Sequence, residues 1–152
     1  MFQLEEIIDI AVRLEENAAA VYRQAMDRVE GQGFKAVLQW MIEEEKQHAR
    51  WFNDLRQQAT TGANPIARAM NREMLAQMIG EQSFSLKQVD FTALTDINAL
   101  IDVLVEFEKD TILFYEMLSG FIPAPEVLSQ LQTIIAEEKR HITQLEAQRP
   151  TP

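Results

Sequence analysis

The chain lacks cysteine altogether and is poor in glycine, proline and basic residues. The absence of a thiol among its 152 residues excludes disulfides, zinc ribbons, iron–sulfur clusters and a cysteine nucleophile. Lys and Arg number 14 against 24 Asp and Glu, and the resulting net charge of −10 argues against nucleic-acid binding, because neutralising phosphates requires clustered cations. The acidity fits solvated helix faces, although it would also attract divalent cations.

Long hydrophobic runs are missing as well. No apolar stretch approaches the roughly 18 residues of a membrane span. The N-terminal segment is acidic and lacks the basic region of a signal peptide. We therefore expect a soluble cytoplasmic protein without a membrane partner. Its 47% apolar content is enough for a single domain over residues 1–152 with a real core.

The few glycines and prolines stand where helices are expected to end, as after Gly31 and Gly33. Asp96 or Thr95 would cap the third helix, and Pro125 suits the first turn of the fourth. The apolar periodicity predicts an all-α chain whose helices cover about residues 4–29, 34–59, 95–120 and 126–148.

Residues 60–94 separate two predicted helical hairpins, 4–59 and 95–148. A helix of about 25 residues is ~38 Å long, so a chain returning along it needs a long crossover. This is the connectivity of a ferritin-like four-helix bundle, and such a bundle often pairs as a homodimer. A short amphipathic helix that packs rather than binds a soft metal is expected in the crossover, where three methionines recur at four-residue spacing: Met70, Met74 and Met78.

Two Glu-x-x-His pairs are the most informative motifs of the chain. Each pair is preceded, 30 residues before its glutamate, by another glutamate. All of these residues interrupt helical stripes that are otherwise mostly apolar, so they are expected to point into the core. A displacement of 93 positions carries the first set onto the second: Glu15, Tyr22, Glu45 and His48 onto Glu108, Tyr115, Glu138 and His141.

Four carboxylates meeting in one core indicate a metal centre. Buried charges must be paired or must ligate metal, and two divalent cations would balance four carboxylates with both imidazoles neutral. Carboxylate and imidazole ligands without thiolate suit iron or manganese and tolerate zinc or cobalt, whereas calcium and magnesium take oxygen ligands alone. We therefore expect two Fe ions, with Mn, Zn or Co as alternatives, at a site made of six residues: Glu15, Glu45, His48, Glu108, Glu138 and His141.

This six-residue pattern resembles the rubrerythrin and bacterioferritin branch of the ferritin-like superfamily of di-iron carboxylate proteins. The resemblance covers both predicted hairpins. In that family two helices each supply one glutamate and the other two each supply a Glu-x-x-His pair. The resemblance implies terminal ligands Glu15 and Glu108, bridging ligands Glu45 and Glu138, and one histidine on each metal, His48 and His141.

The resemblance implies a protein that reacts with peroxide or dioxygen, either as a rubrerythrin-like oxidase or peroxidase or as a ferroxidase. Rubrerythrin peroxidases carry an extra ligand glutamate where this chain has Thr111, whose repeat counterpart is Ala18. The ligand set is therefore closer to that of bacterioferritin. Without a cysteine-bearing rubredoxin domain, electrons must come from a separate donor protein or from the substrate. A non-catalytic metal-binding or sensing module is the alternative.

Two further residue pairs recur in both halves. Tyr22 and Tyr115 lie seven residues after the first glutamate of each set. They are either ordinary core tyrosines or hydrogen-bond partners of a ligand carboxylate on a neighbouring helix. Glu44 and Glu137 lie four residues before each histidine. We expect them to be solvated or boundary acids, and the alternative is that they orient the imidazoles.

Overall fold

The computed structural model describes residues 4–61, 96–120, 122 and 124–150. Within these ranges the first helix packs along the second and the third packs along the fourth, while the first also contacts the third and the second contacts the fourth. This arrangement is the predicted bundle of two hairpins. The predicted crossover and its methionine helix lie outside the described residues. The four helices of the described ranges are α1 (Leu4–Met26), α2 (Gln32–Thr61), α3 (Ile97–Ser119) and α4 (Pro125–Ala147).

The turn between α1 and α2 comes earlier in the chain than predicted and is one residue longer, residues 27–31 instead of 30–33. α1 ends at Met26 rather than at Val29, and α2 begins at Gln32 rather than at Phe34. Gly31 has a φ of +94°, a left-handed conformation that glycine adopts without strain, so the chain reverses at this residue. Gly33 falls in the first turn of α2 instead of in the loop.

The predicted starts of α3 and α4 are confirmed. The Asp96 side chain accepts a hydrogen bond from the Ala99 backbone N–H at 2.7 Å and so caps α3. α4 begins at Pro125, whose missing N–H costs nothing in a first turn. Glu126 adds an acidic group to that turn, where the helix dipole favours negative charge.

The apolar core of the described residues forms two clusters, one on each side of a polar layer. α1 and α4 enter the first cluster near their N-termini and the second near their C-termini, whereas α2 and α3 pass through them in the reverse order. Consecutive helices α2 and α3 therefore run in the same direction, and a short turn cannot join them. No helix of the described ranges is long and apolar enough to cross a membrane.

Candidate metal centre

The polar layer between the two apolar clusters contains four glutamates and two histidines. α1 and α3 each supply one glutamate, and α2 and α4 each supply a Glu-x-x-His pair. The fold thus brings together all six residues that the repeat singled out. None of them is more than 4% exposed: Glu15, Glu45, His48, Glu108, Glu138 and His141.

The donor atoms of these residues form two overlapping groups, and the atoms of each group lie within 4.8 Å of one another. Glu45 and Glu138 belong to both groups. Such an arrangement can hold two cations that share two carboxylates. The first group is Glu15, Glu45, His48 and Glu138, and the second is Glu45, Glu108, Glu138 and His141.

Both imidazoles turn the same nitrogen, Nδ1, towards the four buried glutamates of the layer. His48 Nδ1 lies 2.8 Å from Glu138 Oε1 and 3.4 Å from Glu15 Oε1. His141 Nδ1 lies 3.0 Å from Glu45 Oε1. The two rings are nearly parallel, with an angle of 22° between their planes and 6.4 Å between their centroids.

The other imidazole nitrogens are held by Glu44 and Glu137, crosswise between α2 and α4. His141 Nε2 lies 3.0 Å from Glu44 Oε1, and His48 Nε2 lies 2.5 Å from Glu137 Oε2. The two acids are 16% and 24% exposed, so they are boundary residues that also orient the rings. A carboxylate that accepts the Nε2 proton leaves the Nδ1 lone pair free for a metal. Their recurrence four residues before each histidine was the only sequence signal for this role.

The two tyrosines make the matching crosswise contacts between α1 and α3. Tyr115 donates a hydrogen bond to Glu15 Oε1 at 2.5 Å, and Tyr22 donates one to Glu108. Burial, together with the nearby carboxylates, raises the pKa of both phenols well above its ordinary value, so they remain protonated donors. Of the two alternatives for these residues, the hydrogen-bonding one is confirmed.

Thr111 occupies the position at which the peroxidases of the resembling family carry an extra ligand glutamate. It is buried, but its hydroxyl donates to the Phe107 carbonyl of its own helix at 3.0 Å. Its repeat counterpart, Ala18, has no polar side-chain atom and belongs to an apolar cluster. Neither position adds a carboxylate to the six-residue layer.

Several carboxylate oxygens of the layer have no hydrogen-bond donor. Glu45 Oε1 approaches His141 Nδ1 to 3.0 Å, but without the alignment of a hydrogen bond. Unpartnered buried anionic oxygens cost several kcal/mol in the absence of a cation, by order of magnitude. The donor set therefore fits two divalent cations. Within the described residues five oxygens are unpartnered: Glu15 Oε2, Glu45 Oε1 and Oε2, Glu108 Oε2 and Glu138 Oε2.

Without cations, the layer binds protons tightly. Burial and the neighbouring carboxylates raise the pKa of Glu45 and Glu138 well above the usual range. Burial alone would lower the pKa of His48, but Glu15 and Glu138 raise it to about 11. Burial opposes the charge of His141 in the same way, and the adjacent carboxylates hold the pKa of this imidazole well above its usual range.

Comparison with known proteins gives one family and one fold. A family model described as rubrerythrin matches residues 6–148. A solved structure from Thermotoga maritima, described as a ferritin-like diiron-carboxylate protein, superposes with a TM-score of 0.69. It covers 96% of this chain and 93% of its own at 20% identity, which shows the ferritin-like fold. No curated protein matches the chain significantly.

The metal-free protein is expected to lose stability as the pH rises. Above the unfolded pKa of histidine, 6.5, and up to about 11 for folded His48, the folded state binds more protons than the unfolded state, so the free energy of unfolding falls. The raised pKa values of Glu45 and Glu138 act in the same direction above 4.5. Thermal denaturation with a chelator, from mildly acidic to mildly alkaline pH, measures this slope.

His48→Gln should flatten that slope, because it removes one of the responsible groups. Glu43→Gln, at an exposed position five residues earlier, is the matched control and should leave the slope unchanged. A metal-free melting temperature that rises over the same pH range would contradict the raised pKa values of these buried groups.

Proposed function

This chain belongs to the rubrerythrin family, and we propose that it is a non-haem di-iron protein that reduces peroxide or dioxygen. The observation that carries the proposal is the pair of buried ligand groups that share Glu45 and Glu138. Carboxylate and imidazole donors without thiolate suit iron. Bound iron would supply the electrons, and a separate donor protein or further Fe²⁺ would replace them.

In this proposal one terminal glutamate and one imidazole Nδ1 would hold each metal ion, and the two central carboxylates would be shared by both ions. The unpartnered carboxylate oxygens support the assignment, because a cation gives each of them a partner. The shared position of Glu45 and Glu138 in both donor groups supports their role as bridges. Glu15 with His48 would hold one ion, and Glu108 with His141 would hold the other.

The surrounding residues would keep these ligands in place and keep water out. Tyr22 and Tyr115 hold their protons on the phenol oxygens and fix the two terminal glutamates. Glu44 and Glu137 fix the imidazole tautomers from the outer side. Apolar clusters above and below the layer exclude bulk solvent, which strengthens every electrostatic interaction within it.

Ferroxidase activity is a second candidate, and Thr111 is the observation that favours it. The peroxidases that this family includes are expected to carry a further glutamate at this position, whereas the Thr111 hydroxyl is engaged by the Phe107 carbonyl. The remaining six-residue set is the one implied by the resemblance to bacterioferritin. In that case Fe²⁺ would be both the substrate and the source of electrons.

Replacing either bridging residue should destroy the dinuclear site. Glu45→Ala and Glu138→Ala each remove a carboxylate common to both donor groups, so the number of tightly bound metals should fall from two per chain to at most one. Metal analysis after loading and desalting measures this number. Exposed Glu43→Gln is the control and should keep both ions. Full occupancy in either alanine variant would refute the bridging assignment.

The outer glutamates should tune affinity without setting the number of metals. Glu44→Ala and Glu137→Ala should each weaken metal binding by roughly 10–100-fold, the usual effect of removing a partner of a ligating imidazole. Glu44→Gln should restore much of the loss, because its amide oxygen still accepts the Nε2 proton. Competition with a chromophoric chelator measures these affinities, and equal values for all variants would rule out the orienting role.

The redox proposal is tested by loading the protein with two Fe²⁺ per chain anaerobically and mixing it with peroxide or with air. Growth of ferric absorption in a stopped-flow instrument reports the oxidation. Fast oxidation by peroxide and slow oxidation by air indicate a peroxidase, whereas turnover of many Fe²⁺ per chain indicates a ferroxidase. Glu138→Ala is the control. Oxidation no faster than in this control, with Zn²⁺ still retained by the wild type, would favour a non-catalytic metal module and contradict the proposal.

A further inference from the structure

A cavity of about 340 Å³ lies between α1 and α2 and reaches the metal-centre residue Glu15. Ala19 and Ala49 are buried and form its small-residue floor. Three cationic side chains also line it, against the two carboxylates Glu15 and Glu16, so the lining is net positive although the chain as a whole has a net charge of −10. We call this cavity, with its cations Arg23, Lys46 and Arg50, the basic cleft.

The internal repeat supplies a matched comparison for the floor of the basic cleft. The equivalent positions of the second hairpin, 93 residues later, hold large side chains. Ile112 is buried in an apolar cluster and Ile142 packs against both clusters, so these side chains fill space that the first hairpin leaves open. The replaced pairs are Ala19 by Ile112, Ala20 by Leu113 and Ala49 by Ile142.

The same comparison shows a reversal of charge. In the second hairpin Lys139 Nζ pairs with Glu116 Oε1 at 3.4 Å across α3 and α4. Lys46 is the counterpart of Lys139, but the counterpart of Glu116 is Arg23, so two cations face one cleft. Within the described ranges neither Arg23 nor Arg50 has an ion-pair partner, and Lys46 pairs with the exposed Glu43 at 3.9 Å.

We propose that the basic cleft binds a small oxyanion, a carboxylate or a phosphate group. Arginine and lysine side chains bind such groups through charge-assisted hydrogen bonds. The cavity volume is within the range of small-molecule sites. Because Glu15 forms part of the wall, the bound anion would lie beside a proposed terminal ligand of the metal centre. That neighbourhood rests on the proposed function, whereas anion binding itself does not.

Isothermal titration of the purified protein with inorganic phosphate and, separately, with succinate tests the proposal. We expect saturable binding of at least one of them at millimolar concentrations, and the tighter one identifies the source of the oxyanion. Arg23→Gln and Arg50→Gln should each weaken it by roughly tenfold, the value of one charge-assisted hydrogen bond. Ala19→Ile with Ala49→Ile, which copies the second hairpin, should abolish it.

Lys139→Gln is the matched control, since it removes the corresponding cation of the second hairpin and should leave the affinity unchanged. Arg23 and Arg50 are exposed, so their variants should fold and keep two metals per chain. If the protein keeps two metals per chain but binds neither anion, this proposal fails while the redox proposal stands. Absence of saturable binding by both anions, or equal affinity in the wild type and both arginine variants, would overturn it.

Discussion

The burial of four carboxylates in a single layer is the constraint on which the rest of the bundle depends. Glu15, Glu45, Glu108 and Glu138 are each at most 1% exposed. Two imidazoles and two phenols surround them, yet five of their oxygens find no donor among the described residues. If all four carboxylates were ionised, their mutual repulsion within a few ångströms would favour separation of the helices. Two divalent cations would remove that repulsion, and the layer would then join the four helices.

The hydrogen bonds around this layer connect the two hairpins rather than stabilise each one alone. Tyr22 and Tyr115 link α1 with α3, and Glu44 and Glu137 link α2 with α4. Every contact has a counterpart 93 residues away, so the site is close to two-fold symmetric. The basic cleft departs from this symmetry, because Arg23 is the counterpart of Glu116 and two alanines are the counterparts of isoleucines.

The sequence predicted the bundle and the buried six-residue layer because both follow from periodicity. Stripe positions such as Ile8 and Leu104 are fully buried, and Asp96 caps α3 as expected. The apolar pattern predicts an end of α1 that is three residues too late, because Val29 is buried although it lies beyond the last helical turn. Glu44 contacts His141 on another helix, and spacing along one helix does not predict such a contact. The basic cleft lies between two helices and could not be predicted from spacing for the same reason.

Anomalous diffraction from a crystal of the iron-loaded protein shows directly whether the buried layer is a dinuclear iron centre. We expect two iron peaks per chain, about 3.5–4 Å apart, as in other two-metal sites. Each peak should lie at a bonding distance of about 2 Å from one imidazole Nδ1, with Glu45 and Glu138 contacting both. A single peak, or iron bound at the Nε2 side of the imidazoles, would contradict this expectation.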